Sequence, residues 1–81
     1  MVSITPTGLT QQYIKALDSA TQLVIRARAI EGDEFITLEY LYNTLGAYTP
    51  AERTSVRWGR QHAADSGILA STDTKGVYRL L

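Results

Sequence analysis

The sequence predicts a single α+β domain with three helices followed by a C-terminal β-hairpin. Up to Gly67, apolar residues recur at steps of three and four, as they do along one side of a helix. Gly32, Gly46 and Gly67 divide this region into three such segments, each ended by a residue that favours a left-handed cap. Beyond Gly67, two short apolar runs flank a turn-forming stretch, which is typical of a hairpin. A length of 81 residues fits one domain over residues 1–81.

The first helix is expected over residues 9–30. Its apolar stripe consists of Leu9, Tyr13, Leu17, Ala20, Val24 and Ala27. The stripe is widened by Ala16, Leu23 and Ile30. Ile14 and Ile25 lie on another side of the same helix, and so wide an apolar surface indicates burial on two faces, in this domain or against a partner. Two signals are typical of its start: Thr5 with Pro6, and Thr10.

A short strand and the second helix follow. Phe35 and Ile36 lie in a segment too short for a helix, so we expect a short strand there. Thr37 is a good N-cap for the segment LEYLYNTL, whose leucines and Tyr42 share one face at helical spacing. Gly46 stops this helix.

The third helix and the hairpin complete the chain. Thr49 is an N-cap, and Pro50 stands at the first helical position, where its missing N–H costs nothing. This helix is expected to run to residue 65 or 66. The hairpin strands are the runs ILAS and VYRLL, with the bend at Lys75 and Gly76.

Composition excludes several functional classes. The absence of cysteine excludes disulfides, thiolate metal sites and a cysteine nucleophile, and mildly favours the cytoplasm. Neither a secretory signal nor a run long enough to span a bilayer is visible, so no membrane partner is expected. No phosphate-binding loop, nucleophile elbow or metal-ligand set is visible, so we expect neither an enzyme nor a cofactor or metal.

The charge is balanced overall but unevenly placed. Eight basic and eight acidic residues give a net charge of zero. Residues 1–49 hold three basic and five acidic residues, whereas residues 50–81 hold five basic and three acidic ones. The C-terminal part is therefore the candidate for binding an anionic partner.

The order of the predicted elements resembles that of a known domain superfamily. Helices two and three, joined by a short Gly-containing turn, form a helix-turn-helix, and the hairpin follows directly. Particular residues match a loose pattern: Val56, Ala63, Gly67, Ile68 and Leu69, together with Tyr78, Arg79 and Leu80 in the last strand. On these residues the chain, from residue 9 to residue 81, resembles the winged-helix superfamily of DNA-binding domains. Gly59 and Arg60 depart from the pattern, because apolar residues are usual there, so the helix is either closely packed at Gly59 or bent.

The third helix presents basic residues on one face. Arg53, Arg57 and Arg60 are spaced four and three apart, with Gln61 at the edge and Thr54 beyond it. The resemblance implies that this helix lies in the major groove of duplex DNA while the wing touches the backbone. The candidate DNA-binding residues are Thr49, Arg53, Thr54, Arg57, Arg60, Gln61, Lys75 and Arg79. A stripe of arginines is also typical of a merely solvated surface.

Trp58, the only tryptophan, lies away from the Val56 face. We expect it to pack on the first helix or the wing, since large aromatic side chains are usually buried; the alternative is an exposed anchor for a protein partner. His62 is expected to be a surface residue.

Two functional hypotheses follow. The first is a small transcriptional regulator or control factor that binds double-stranded DNA, with the first helix as a homodimer surface because two half-sites commonly need two copies. The second is a winged-helix protein-interaction module, an adaptor or inhibitor of the kind common in phages and mobile elements, that uses the first helix and Trp58 as its contact surface.

Overall fold

A computed structural model describes the backbone of residues 6–81 and the side chains of residues 16–81. Its elements are α1 (Pro6–Ile30), β1 (Phe35–Thr37), α2 (Leu38–Leu45), α3 (Pro50–Asp65), β2 (Leu69–Ser71) and β3 (Val77–Leu80). The predicted α+β class is confirmed, with three helices and a small antiparallel sheet. This arrangement is compatible with a winged-helix-like domain. The described part of the chain contains no helix with the length and apolar content needed to cross a membrane.

Local signals set the helix boundaries. The first helix begins at Pro6, the earlier of the two expected starts. Thr37 caps α2 by accepting a hydrogen bond from the Tyr40 N–H at 3.0 Å. Each helix is followed by a glycine with positive φ, at Gly32 (89°), Gly46 (67°) and Gly67 (80°). At Gly46 this conformation lets the Ala47 N–H reach back to the Tyr42 carbonyl at 2.9 Å, which closes α2 and starts the turn to α3.

The three strands form a sheet in the order β1-β3-β2, so the last strand lies in the middle. Tyr78 on β3 pairs with Ile36 on β1, and Arg79 pairs with both Phe35 and Ala70. Since successive strand residues point to opposite faces, Tyr78 lies on the sheet face that covers the core and Arg79 lies on the outer face. The strand before α2 and the terminal hairpin are both as predicted.

One core joins the helices to the inner sheet face. Its buried residues are Ile25, Ile36, Leu41, Ala47, Val56, Ala63, Leu69 and Leu80. Ile25, Leu41 and Val56 are completely buried, one from each helix. These three side chains therefore tie α1, α2 and α3 together.

The predicted apolar stripe of α1 is right at Leu17 and Val24, which lie at the core, and wrong at Ala27, which is exposed. Among the described side chains of α1, the buried ones are Leu17, Thr21 and Ile25, whereas Leu23 is 67% and Ile30 is 86% exposed. The sequence interpretation had placed Ile25 on a separate side and had no reason to bury a threonine. Thr21 is tolerated there because its hydroxyl donates to the Leu17 carbonyl at 2.7 Å. The side chains of Leu9, Tyr13 and Ile14 lie outside the described residues.

Gly59 brings α1 and α3 into close contact. A β-carbon at Gly59 would lie 2.5 Å from the Asp18 carbonyl oxygen and 2.7 Å from the Thr21 β-carbon. Ser55 and Ala63, four residues to either side, are also small and buried, so α3 turns a row of small residues toward the core. The close-packing explanation for the mid-helix glycine is confirmed.

We expect Gly59→Ala to destabilise the protein. Overpacking costs about 1–3 kcal/mol, and at this position it acts on a backbone oxygen that cannot move aside. This cost opposes the gain in stability of about 1 kcal/mol that alanine gives over glycine in a helix interior. Urea unfolding of Gly59→Ala, beside the exposed control Gln61→Ala, measures the balance. A variant more stable than the wild type would show that helix propensity outweighs the contact.

Candidate nucleic-acid interface

A capping box sets the start of α3. The Thr49 hydroxyl accepts from the Glu52 N–H at 3.2 Å, and the Glu52 carboxylate accepts from the Thr49 N–H at 2.9 Å and the Tyr48 N–H at 3.0 Å. These bonds satisfy backbone donors that the helix itself cannot use. Thr49, a candidate DNA-binding residue, therefore has a structural task in positioning the helix that carries the arginines.

Tyr42 of α2 holds two of the arginines side by side. The Arg53 guanidinium lies 4.8 Å from the centre of the Tyr42 ring, and its Nε donates to the Ala47 carbonyl at 3.1 Å. Arg57 donates to the Tyr42 hydroxyl at 3.1 Å and to the Thr54 hydroxyl at 3.0 Å. Both cations are thus oriented by the preceding helix. The sequence interpretation missed this role because it assigned Tyr42 to the apolar face of α2.

A groove separates α2 and α3 from the turn of the hairpin. Arg53 lines it on the α3 side and Lys75 lines it on the hairpin side. Its remaining lining comes from the end of β1, from α2 and from the hairpin, and includes Thr37, Glu39 and Asn43. The Leu38 N–H donates to the Gly76 carbonyl at 2.9 Å, which fixes the hairpin turn beside the start of α2. Two cations from separate elements therefore share one groove.

Arg60 is held against the sheet. Its guanidinium lies 4.7 Å from the centre of the Tyr78 ring, and one Nη donates to the Gln61 side chain at 3.0 Å. Its Nε is buried and has no hydrogen-bond partner within the described part of the chain. Gln61 in turn donates to Asp65 at 3.0 Å. Arg60 is half-buried, so it extends the basic surface toward β3 and is less accessible than Arg57.

The structure does not bring Arg79 to this surface. Arg79 lies on the outer face of the sheet, between its paired neighbours Phe35 and Ala70, whereas Tyr78 on the inner face meets Arg60. Of the candidate residues, those that lie together around α3 and the groove are Thr49, Arg53, Thr54, Arg57, Arg60, Gln61 and Lys75.

The expectation that Trp58 packs on α1 or the hairpin is wrong. Trp58 is 61% exposed, because the buried side of α3 carries Gly59 and Ala63 and the next residue in a helix points more than a quarter of a turn away. It lies beside Arg57 and Gln61 on the open side of α3. Tyr48, just before the helix, is 67% exposed. His62 is exposed as expected, but its Nδ1 lies 3.1 Å from the Asp18 carboxylate and so also links α3 to α1.

Acidic side chains moderate the positive charge of this surface. Glu39 lines the groove opposite Arg53, and Asp65 lies at the far end of α3 beyond Gln61. The groove and the open side of α3 therefore each hold one carboxylate beside two arginine or lysine side chains, so the surface is basic only by a small excess of charge.

Comparison with known proteins does not assign the chain to a family. No protein-family model matches the chain, and neither a curated protein nor a solved structure shows significant similarity to it. The functional argument therefore depends on the geometry of these residues.

We expect Thr49→Ala to lower the free energy of unfolding by about 1 kcal/mol, because it removes one half of the capping box. Thr49→Ser keeps the accepting hydroxyl and is expected to stay within about 0.5 kcal/mol of the wild type. Thermal unfolding followed by circular dichroism gives both values. Equal stability of the alanine variant and the wild type would contradict the structural role of Thr49.

Proposed function

We propose that the protein binds double-stranded DNA through the open side of α3, as a small transcriptional regulator or a similar control factor. The main support for this proposal is that Arg53 and Arg57, in the N-terminal half of α3, are both held in place by Tyr42 of α2. Cations fixed in advance lose less conformational entropy on binding than freely moving ones do.

Arg53 and Lys75 suit the DNA backbone. They flank one groove from opposite sides, so a phosphate entering the groove would meet both charges. The Arg53 Nε donates to the Ala47 carbonyl. The two Nη groups form the planar pair of donors that a phosphate can bind. Neutralising phosphates releases counterions, which supplies sequence-independent affinity.

Arg57, Thr54 and Gln61 suit the base edges. All three side chains lie on the open side of α3, the side that enters a major groove when a recognition helix docks. Arginine binds guanine through two parallel donors, and glutamine matches adenine in the same way. Arg57 uses two of its five N–H donors on Tyr42 and Thr54, so three donors remain for a base while Tyr42 still holds the side chain.

We expect Arg57→Ala to weaken binding to a random-sequence duplex about tenfold, because one charged contact is worth on the order of 1.5 kcal/mol. Arg79→Ala is the matched control: it removes the same charge from the outer sheet face, and we expect a change of about twofold or less. Fluorescence anisotropy with a labelled duplex compares the two. Equal losses in both variants would mean that binding follows overall charge and that α3 is not the contact surface.

A second candidate function is a protein-interaction module, an adaptor or inhibitor that does not bind DNA. The observation that favours it is the exposure of Trp58 next to Arg57, because tryptophan and arginine contribute much of the binding energy of protein interfaces. Such an interface would depend on Trp58. It would leave the protein without measurable affinity for a duplex even at low salt.

A further inference from the structure

Strand β1 lies at one edge of the sheet, and within the described part of the chain only β3 pairs with it. The hydrogen bonds of an antiparallel ladder fall on every second residue of each strand. On β1 they fall on residues 34, 36 and 38, because the Glu34 carbonyl accepts from β3 at 2.8 Å and the Leu38 N–H donates to the hairpin turn at 2.9 Å. The N–H and C=O of Phe35 and the N–H of Thr37 consequently point away from β3, toward the open edge.

These three backbone groups have no hydrogen-bond partner among the described residues. A strand edge in this state is a template for another extended chain, which presents its own donors and acceptors at the same spacing. Addition of a strand to such an edge is a common way for a domain to bind an extended peptide.

A small hollow lies along the same edge. All three residues of β1 line it, together with Tyr40 of α2 and the ion-paired Arg28 and Asp33. Its volume is about 200 Å³, below the roughly 300 Å³ at which small-molecule sites begin. Phe35 is 50% and Tyr40 is 38% exposed, so the hollow offers two aromatic rings to one apolar side chain of a bound peptide.

The charges around β1 favour a basic partner. Arg28 is paired with both Asp33 and Glu31, and the exposed Glu34 directly precedes the strand. Three carboxylates and one guanidinium leave an excess of negative charge. Arg79 is one strand further inward, so an added strand would lie about 10 Å from it, near the screening length at physiological salt. Two copies of β1 would bring like charges together, which disfavours a second copy of this chain as the occupant.

We propose that the open edge of β1 binds an extended, basic segment of a partner protein, which adds a fourth strand to the sheet. The unpaired backbone groups bind the main chain of the segment, the hollow takes one apolar side chain, and the carboxylates attract lysine or arginine beside it. This site uses none of the arginines of α3 and does not depend on the proposed DNA binding. Only three backbone groups of β1 are available, so the binding is weak.

Amide hydrogen exchange in the absence of DNA tests the proposal. In the free protein, we expect the Phe35 and Thr37 amides to exchange quickly and the Ile36 amide, which is bonded to β3, to exchange slowly. The probe is a short peptide of alternating valine and lysine at about 1 mM. A dissociation constant on the order of 100 μM would then slow exchange at Phe35 and Thr37 about tenfold. The same peptide with glutamate in place of lysine is the matched control and is expected to leave both rates unchanged.

Two variants test the backbone contact separately. Phe35→Pro removes the outward N–H, whereas Phe35→Ala keeps it, and both remove the ring. Proline is tolerated on edge strands, and circular dichroism verifies that each variant is folded. By fluorescence anisotropy of the labelled lysine peptide, we expect the proline variant to bind about fivefold more weakly than the alanine variant, the effect of one backbone hydrogen bond.

Unchanged exchange at Phe35 and Thr37 in the presence of the lysine peptide would overturn the proposal, whether or not the proline variant folds. Equal slowing by the glutamate peptide would refute a basic partner, and equal affinity of the two folded variants would refute strand addition. Protection of these amides that rises with protein concentration alone would assign the edge to a second copy of the chain instead.

Discussion

The contact of Gly59 with the backbone of α1 is the constraint on which the rest of the structure depends. No side chain separates the two helices there, so α3 approaches α1 to van der Waals distance and its rotation about its own axis is fixed. Arg57, two residues before Gly59, lies nearly half a turn around the helix and therefore faces solvent. The same contact excludes Trp58 from the core. One glycine thus determines which side chains of α3 are available to a partner.

Aromatic rings of the neighbouring elements then order the cations of α3. Tyr42 reaches from α2 to Arg53 and Arg57, and Tyr78 reaches from β3 to Arg60. A ring face attracts a guanidinium without neutralising it, in contrast to a carboxylate, so the charge stays available. α2 and the hairpin therefore support α3 and also contact the side chains of the basic surface.

The sequence predicted the elements well because their boundaries depend on neighbouring residues. Caps at Thr37 and Thr49 and stops at Gly46 and Gly67 act within one turn of the chain, so their signals are local. The buried side of α1 was not predictable in the same way. Several of its sides are apolar, and the choice among them is made by α3, whose small residues accept Thr21 and exclude larger neighbours.

The candidate site was predictable in part. The arginine spacing on α3 is visible in the sequence, but the role of Tyr42 depends on how α2 and α3 meet. Arg79 looked like a wing residue in the sequence, and only the strand register shows that it lies on the outer sheet face. The prediction for Trp58 was wrong because it followed the general tendency of tryptophan to be buried. The rotation of α3, which the Gly59 contact sets, is not visible in the sequence.

The salt dependence of duplex binding tests the central claim most directly. Two phosphate contacts, from Arg53 and Lys75, predict that the logarithm of the affinity falls with the logarithm of salt with a slope of about −1.8. Between about 50 mM and 200 mM salt, the affinity for a random-sequence duplex should then fall about 12-fold. Binding that does not change with salt, or no binding at the lower salt concentration, would contradict the account and leave the exposed Trp58 surface as the site of a protein partner.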